Sequence, residues 1–161
     1  MNFCVSFTTL PSRLENIKKT IDSINNQSLK PKKIFLNLPY KFKRFPRYEF
    51  KEEQIVKLKK NNIEIIRCDD YGPGTKLMGS LNKIKNFDLT IILDDDHLYH
   101  YRMFEIFVEE FKKKAANYSF YVQKLFKLSM GQGADGILIN TKNLSNIRVF
   151  YDIFVKKNKN L

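Results

Sequence analysis

Asp94, Asp95 and Asp96 stand in a row directly after an apolar run, in the segment LTIILDDDHLYH. Three adjacent carboxylates repel one another and are costly to bury unpaired. At the carboxyl end of a buried strand they form a cation site. Mg²⁺ and Mn²⁺ prefer oxygen ligands and commonly share them with a substrate phosphate. A solvated acidic turn has the same composition. The position at a strand end, where ligands of open α/β sheets collect, favours the site. Two more polar clusters follow apolar runs. One is TTLPSR, with Thr8, Thr9 and Arg13, which also reads as a helix cap; the other is DDYGPGTKL, with Asp70 and Lys76, which also reads as a tight turn. Their joint occurrence at successive strand ends is harder to explain as turns alone.

The elements that must position these clusters alternate in type. Short β-rich runs at 2–9, 32–39, 63–68 and 89–93 are separated by helix-length segments at 11–27, 52–62 and 74–86. In the first helix Leu14, Ile17, Ile21 and Ile24 fall at helical spacing. Ser12 with Glu15 three residues on has the form of a capping box. A longer helix is expected over 101–117, strands near 119–125 and 136–140, and a terminal helix over 145–158. The stretch YKFKRFPRYEF, residues 40–50, is basic, aromatic and irregular. Strands alternating with helices predict a mainly parallel sheet covered on both faces. Its strand ends then share one edge, where a nucleotide would sit.

Composition narrows the classes. The 161 residues fit one domain, and 43% hydrophobic content supplies a core. No apolar stretch reaches the roughly 18 residues of a membrane span. The N-terminus lacks a basic region before its apolar segment, so a cytoplasmic location is expected. Two cysteines, Cys4 and Cys68, and two histidines make a Cys/His zinc site an unsuitable reading; the cysteines read as small buried hydrophobes. The net charge of +12 suits a phosphorylated ligand, an anionic membrane surface or nucleic acid. GxxxxGK[ST] is not present, which removes the usual phosphate cradle of P-loop proteins.

The blocks VSFTTLPSRLENIKKTIDSINNQSLKPKKIFLNLP, DDYGPGTKLMGSL and IILDDDHLYH resemble nucleotide-sugar glycosyltransferases of the GT-A, family-2-like type. The resemblance covers residues 3–100 and continues faintly through GQGADGILINTKNL. It implies an α/β, Rossmann-like GT-A domain over 1–161, with a donor-binding part to residue 100 and a shortened acceptor part beyond it. The implied activity is metal-dependent transfer of a sugar from a nucleotide-diphosphate donor to a glycan, lipid-linked or protein acceptor, with Mn²⁺ or Mg²⁺. Thr8, Thr9 and Arg13 would lie against the nucleotide. Asp70 and Lys76 would lie near the base, ribose or diphosphate. Asp94 and Asp96 would form the Asp-x-Asp pair that engages ribose and metal, with Asp95 between them in the donor-binding set. A metal together with Lys or Arg stabilises the charge that develops on a departing diphosphate.

The chain departs from that pattern in two places. After the triplet similar sequences show an apolar residue and Tyr-Pro, whereas here His97-Leu98-Tyr99-His100 follows. Either histidine would touch the diphosphate or lie partly exposed without a special role. The sequence also stops at Leu161, where similar sequences carry an acidic motif that resembles the acceptor-side base. Asp135 and Asp152 are the nearby substitutes, and Asp135 is the candidate catalyst, although its place beside Gly136 also suits a simple turn. Two other readings follow. A remnant would bind nucleotide sugar and transfer nothing. A nucleic-acid-binding module would use the charge and the 40–50 stretch, but the acidic triplet opposes nucleic acid as a partner.

Overall fold

The computed structural model describes residues 1–59, 62–125, 128–131 and 135–157. Four β-rich runs form the parallel half of a six-stranded sheet: β1 (Phe3–Thr8), β2 (Lys33–Pro39), β3 (Ile63–Cys68) and β4 (Leu89–Ile92). The order is β3-β2-β1-β4, continued by β8 (Ile137–Asn140) and β5 (Tyr118–Ser119). β8 runs antiparallel to both β4 and β5. A separate antiparallel pair joins β6 (Val122–Leu125) to β7 (Leu128–Gly131). The sheet is therefore mixed but mainly parallel, as the alternation of strands and helices predicts.

Side-chain alternation along the strands sorts the core into two layers. Phe3, Val5 and Phe7 of β1 join Ile34, Leu36 and Leu38 of β2 on one face. That face is covered by α1 (Ile17–Asn25) through Ile17, Ile21 and Ile24, and by α5 (Met103–Lys113) through Phe104 and Phe107. Cys4 and Phe35 point the other way, against Met78 of α3 (Thr75–Met78), Leu81 and Ile84 of α4 (Leu81–Ile84), and Leu144. Partly buried Ile147 and Tyr151 of α6 (Ile147–Lys157) join this second layer.

Several local expectations are corrected. The helix expected from Pro11 opens with a 3-10 turn over Pro11–Arg13, and α1 begins only at Ile17. The Ser12–Glu15 capping box does not form; Leu10 precedes the turn in extended conformation, and Arg13 reaches across to Asp95 instead. The helix expected over 74–86 is broken into α3 and α4. At the break Gly79 lies against the Asn37 side chain and Ser80 bonds Ser6. The segment α2 (Glu52–Leu58) stops short because Lys59 is extended; residues 60 and 61 lie outside the described residues. The strand expected near 119–125 is two pieces in two different sheets. The end of the terminal helix expected at residue 158 lies outside the described residues.

From β1 the chain steps outward to β2 and β3, then returns to place β4 on the other side of β1. The carboxyl ends of β1 and β4 thus flank a point where strand order reverses, the place where open α/β sheets bind ligands. Loops 8–13, 69–76 and 93–100 all leave the sheet at this edge.

Candidate functional site

The three loops line one cavity of about 340 Å³, with Thr8, Thr9, Arg13, Asp70, Lys76, Asp94 and Asp95 all on its wall. The acidic triplet is divided among different partners. The Lys76 ammonium donates to the Asp94 carboxylate. Asp95 turns inward and is only 7% exposed; it accepts from Thr9 Oγ1 at 2.6 Å and from Arg13 Nη1 at 2.7 Å. Asp96 stays outside, 51% exposed, with Arg13 Nη1 at 3.1 Å and His97 Nδ1 at 2.9 Å. The hydrogen bond to Asp95 pushes the Arg13 guanidinium further up its already high range, so it holds its charge throughout.

Buried and half-buried polar groups that the sequence did not single out hold the triplet in place. Thr20 of α1 donates to the carbonyls of Asp95 at 2.9 Å and His97 at 3.0 Å. Ser23 Oγ accepts from Tyr99 N at 3.3 Å. Gln27 donates to the His100 carbonyl at 2.8 Å and accepts from Phe104 N at 3.1 Å. Thr20 and Ser23 are neighbours on one stripe of α1 and Gln27 follows just past its end; polar side chains beside an apolar face were the available signal. Tyr99 closes the turn from the other side. Its hydroxyl accepts from Asp94 N at 2.9 Å and donates to the Asp94 carbonyl at 3.0 Å. Burial pushes the phenol well above its ordinary value, so it stays neutral and keeps both roles.

A second buried network places Lys76. Ser6 Oγ donates to the Lys76 carbonyl at 2.6 Å, and Asn37 Nδ2 donates to Ser6 Oγ at 2.9 Å and to the Phe7 carbonyl at 3.0 Å. A Cβ on Gly79 would lie 2.7 Å from Asn37 Oδ1, so the close approach of α3 to β2 requires glycine there. Asp70 is buried and occupied. Its carboxylate accepts from Lys43 N at 2.7 Å and from Gly72 N at 2.8 Å. Gly72 has φ +59°, which glycine adopts without strain. Thr8 Oγ1 donates to the Asn37 carbonyl at 2.7 Å.

Asp135 is not on this cavity. It is exposed and lines a neighbouring one of about 280 Å³, beside His97, Tyr99, Met103 and Phe120. His100 also lines it, and its Nδ1 accepts from Arg102 N at 3.3 Å within its own loop. Asp152 is exposed on α6. Among the described residues no three His, Cys, Asp or Glu side chains are grouped to hold a metal by themselves. The donor set nevertheless suits a shared ion. Asp94, on the cavity wall, and Asp96, just outside it, would be the carboxylates offered to such an ion, and Mg²⁺-type sites commonly use one or two carboxylates completed by substrate phosphate and water.

A mainly parallel sheet with its strand-order reversal between β1 and β4, and three polar loops at that edge, is a Rossmann-like α/β arrangement of the GT-A type. No family model matches the sequence, and no curated protein matches it. Solved structures do match in fold. S. aureus TarS, residues 1–349, in complex with UDP-GlcNAc is similar with a TM-score of 0.65 at 13% identity, over 92% of this chain and 48% of that one. The mannosyltransferase PcManGT from Pyrobaculum calidifontis, in complex with GDP-Man and Mn²⁺, gives 0.66 at 12% identity, over 91% and 46%. A 4-diphosphocytidyl-2C-methyl-D-erythritol synthase from Anaerococcus prevotii gives 0.60 at 12% identity, over 96% and 75%. The chain spans about half the length of the two glycosyltransferases. Among the described residues no helix is long and apolar enough to cross a membrane.

Proposed function

We propose that this chain binds a nucleotide-diphosphate sugar at the sheet edge and transfers its sugar, as a cytoplasmic, metal-dependent glycosyltransferase with a glycan, lipid-linked or protein acceptor. The observation that carries this reading is the convergence of three strand-end loops on one cavity, with Lys76 and Arg13 already paired to the acidic triplet. Asp94 and Asp96 would hold Mn²⁺ or Mg²⁺, which offsets the charge of a leaving diphosphate when bound. Lys76 and Arg13 contribute positive charge to the same leaving group. Thr8 and Thr9 form the floor beside the nucleotide, Asp95 anchors Arg13, and Asp70 shapes the 70–76 loop. The donor is bound mainly by residues up to 100, and the remainder builds the acceptor side. There Asp135 takes the proton from the acceptor hydroxyl, a role worth a factor of about 10²–10⁴ in rate.

Calorimetric titration with UDP and GDP, in Mn²⁺ and in chelator, tests the reading. Binding should be much tighter with metal, and Lys76→Ala should weaken it by about 1–3 kcal/mol. Equal affinity with and without metal would remove the cation site; no nucleotide binding at all would remove the function. The fold match to the 4-diphosphocytidyl-2C-methyl-D-erythritol synthase favours a second reading, nucleotidyl transfer from a nucleoside triphosphate. A nucleoside triphosphate that binds more tightly than any diphosphate, with pyrophosphate released on turnover, would select it.

A further inference from the structure

The basic aromatic stretch at 40–50 has no role in the reading above, yet it forms part of the donor cavity. Phe42, Arg44 and Phe45 lie on the wall shared with Lys76 and Asp94. We infer that Phe45 is the surface on which the donor's nucleobase stacks, an inference that rests on the nucleotide-sugar reading of that cavity.

The argument is mechanical. Phe45 is 42% exposed, a large apolar ring left open at the mouth of a polar cavity. It is not a loose ring. Tyr48 stacks behind it at 5.1 Å between centroids and 20° between planes, and Tyr48 N donates to the Phe45 carbonyl at 2.8 Å across a tight turn. Tyr48 meets Phe42 edge-on at 6.3 Å, and Phe42 packs on Phe50 at 5.7 Å; both of the latter are buried in the core. The segment is also tied to the loop that carries Lys76, because Lys43 N donates to the Asp70 carboxylate. A ring held this way sits at a fixed place relative to Lys76 and Asp94.

Flat, pre-ordered aromatic rings bind bases through their π-faces, and neighbouring cations strengthen the contact. Arg44, exposed on the same wall, supplies that charge. Interleaved aromatic and basic residues also describe single-strand nucleic-acid binders. Here they face a cavity of about 340 Å³ whose wall carries Asp70, Asp94 and Asp95, and those carboxylates and that size suit one nucleotide rather than a polyanionic strand. Stacking does not distinguish bases strongly, so Phe45 gives affinity for the nucleoside and not a choice between uracil and guanine.

Titration of the full chain with UDP, GDP and inorganic pyrophosphate, all in Mn²⁺, tests the assignment. Phe45→Ala should weaken UDP and GDP by about tenfold and leave pyrophosphate unchanged. Phe45→Tyr should restore nucleotide affinity. Unchanged nucleotide binding in Phe45→Ala would overturn the stacking role while the donor-site reading stands. An equal loss for pyrophosphate would also overturn it, because the substitution would then act on the cavity as a whole. If the wild type binds none of the three, both readings fall. A single-stranded oligonucleotide whose binding depends on Phe45, and which UDP does not displace, would assign the ring to nucleic acid instead.

Discussion

Adjacent carboxylates with different surroundings should fail in different ways, and Asp95 and Asp96 offer the comparison. In Asp95→Ala the Thr9 hydroxyl, itself 2% exposed, loses its acceptor at 2.6 Å; the Leu10 carbonyl at 3.4 Å is a poor substitute. A buried donor left unsatisfied costs about 1–3 kcal/mol. Arg13 is 47% exposed and regains water, so its lost pair adds no more than about 1 kcal/mol. The sum centres on about 2–3 kcal/mol, which for a domain of this size lowers Tm by roughly 5–10 °C. Asp96→Ala removes a side chain that is 51% exposed and should shift stability by no more than about 0.5 kcal/mol. Thermal unfolding without ligand reads this difference. Repeating it with UDP and Mn²⁺ should show the ligand-dependent rise in Tm lost in Asp96→Ala and kept, from a lower baseline, in Asp95→Ala. Equal Tm values for the two variants, or the opposite order, would refute the division of roles.

Two further substitutions and probes address the scaffold. Gly79→Ala brings a Cβ to within 2.7 Å of a buried, hydrogen-bonded Asn37, and should cost about 1–3 kcal/mol by urea denaturation, with the Ala variant of exposed Asn82 as an unaffected control. Burial pushes the Cys4 thiol up to about 12 and the Cys68 thiol up to about 11, so neither should react with a disulfide reagent at pH 8 until urea is added. Both folded values lie above the unfolded one near 9. Their contribution to stability is therefore complete below about pH 9 and is lost as pH rises toward 12, so the urea midpoint should fall between pH 8 and 10.

The parallel half of the sheet was legible because β1 to β4 are short apolar runs of strand length separated by helical patterns. Once those strands are parallel, the ends after Thr8, Cys68 and Ile92 must share an edge, so the meeting of the three polar clusters was legible too. What the loops do with their side chains was not. Arg13 and Asp95 are 82 positions apart, and no local pattern distinguishes the carboxylate that turns inward from the two that do not. Asp70 has the composition of a ligand-binding residue, yet backbone N–H groups of Lys43 and Gly72 take up its oxygens. Thr20, Ser23 and Gln27 carry no sequence mark of their partners, the backbone of the acidic loop more than 70 positions away. The antiparallel β6–β7 pair was missed because a continuous mixed run such as 118–131 carries no periodicity that marks two strands in a separate sheet.

The pairing pattern also bears on what the net charge of +12 does at the cavity. Lys76 comes from α3 and Arg13 from the turn before α1, so the ion pairs that offset the charge of the triplet also tie three loops together. Most of the excess positive charge therefore lies elsewhere on the surface, and the cavity itself is close to balanced. A bare diphosphate entering such a site meets cations already committed to carboxylates, and each cation it recruits leaves a carboxylate exposed to it. A diphosphate that arrives with a divalent ion brings the replacement partner for those carboxylates, and Lys76 and Arg13 become available to phosphate at little electrostatic cost. On this argument the chelator arm of the nucleotide titration should show weak binding in the wild type. Asp94→Asn, which releases Lys76 without any ion, should bind the bare nucleotide better than wild type while responding less to Mn²⁺. A variant that loses affinity equally in both conditions would mean that Asp94 contacts the nucleotide directly and that local charge balance is not what makes the metal necessary.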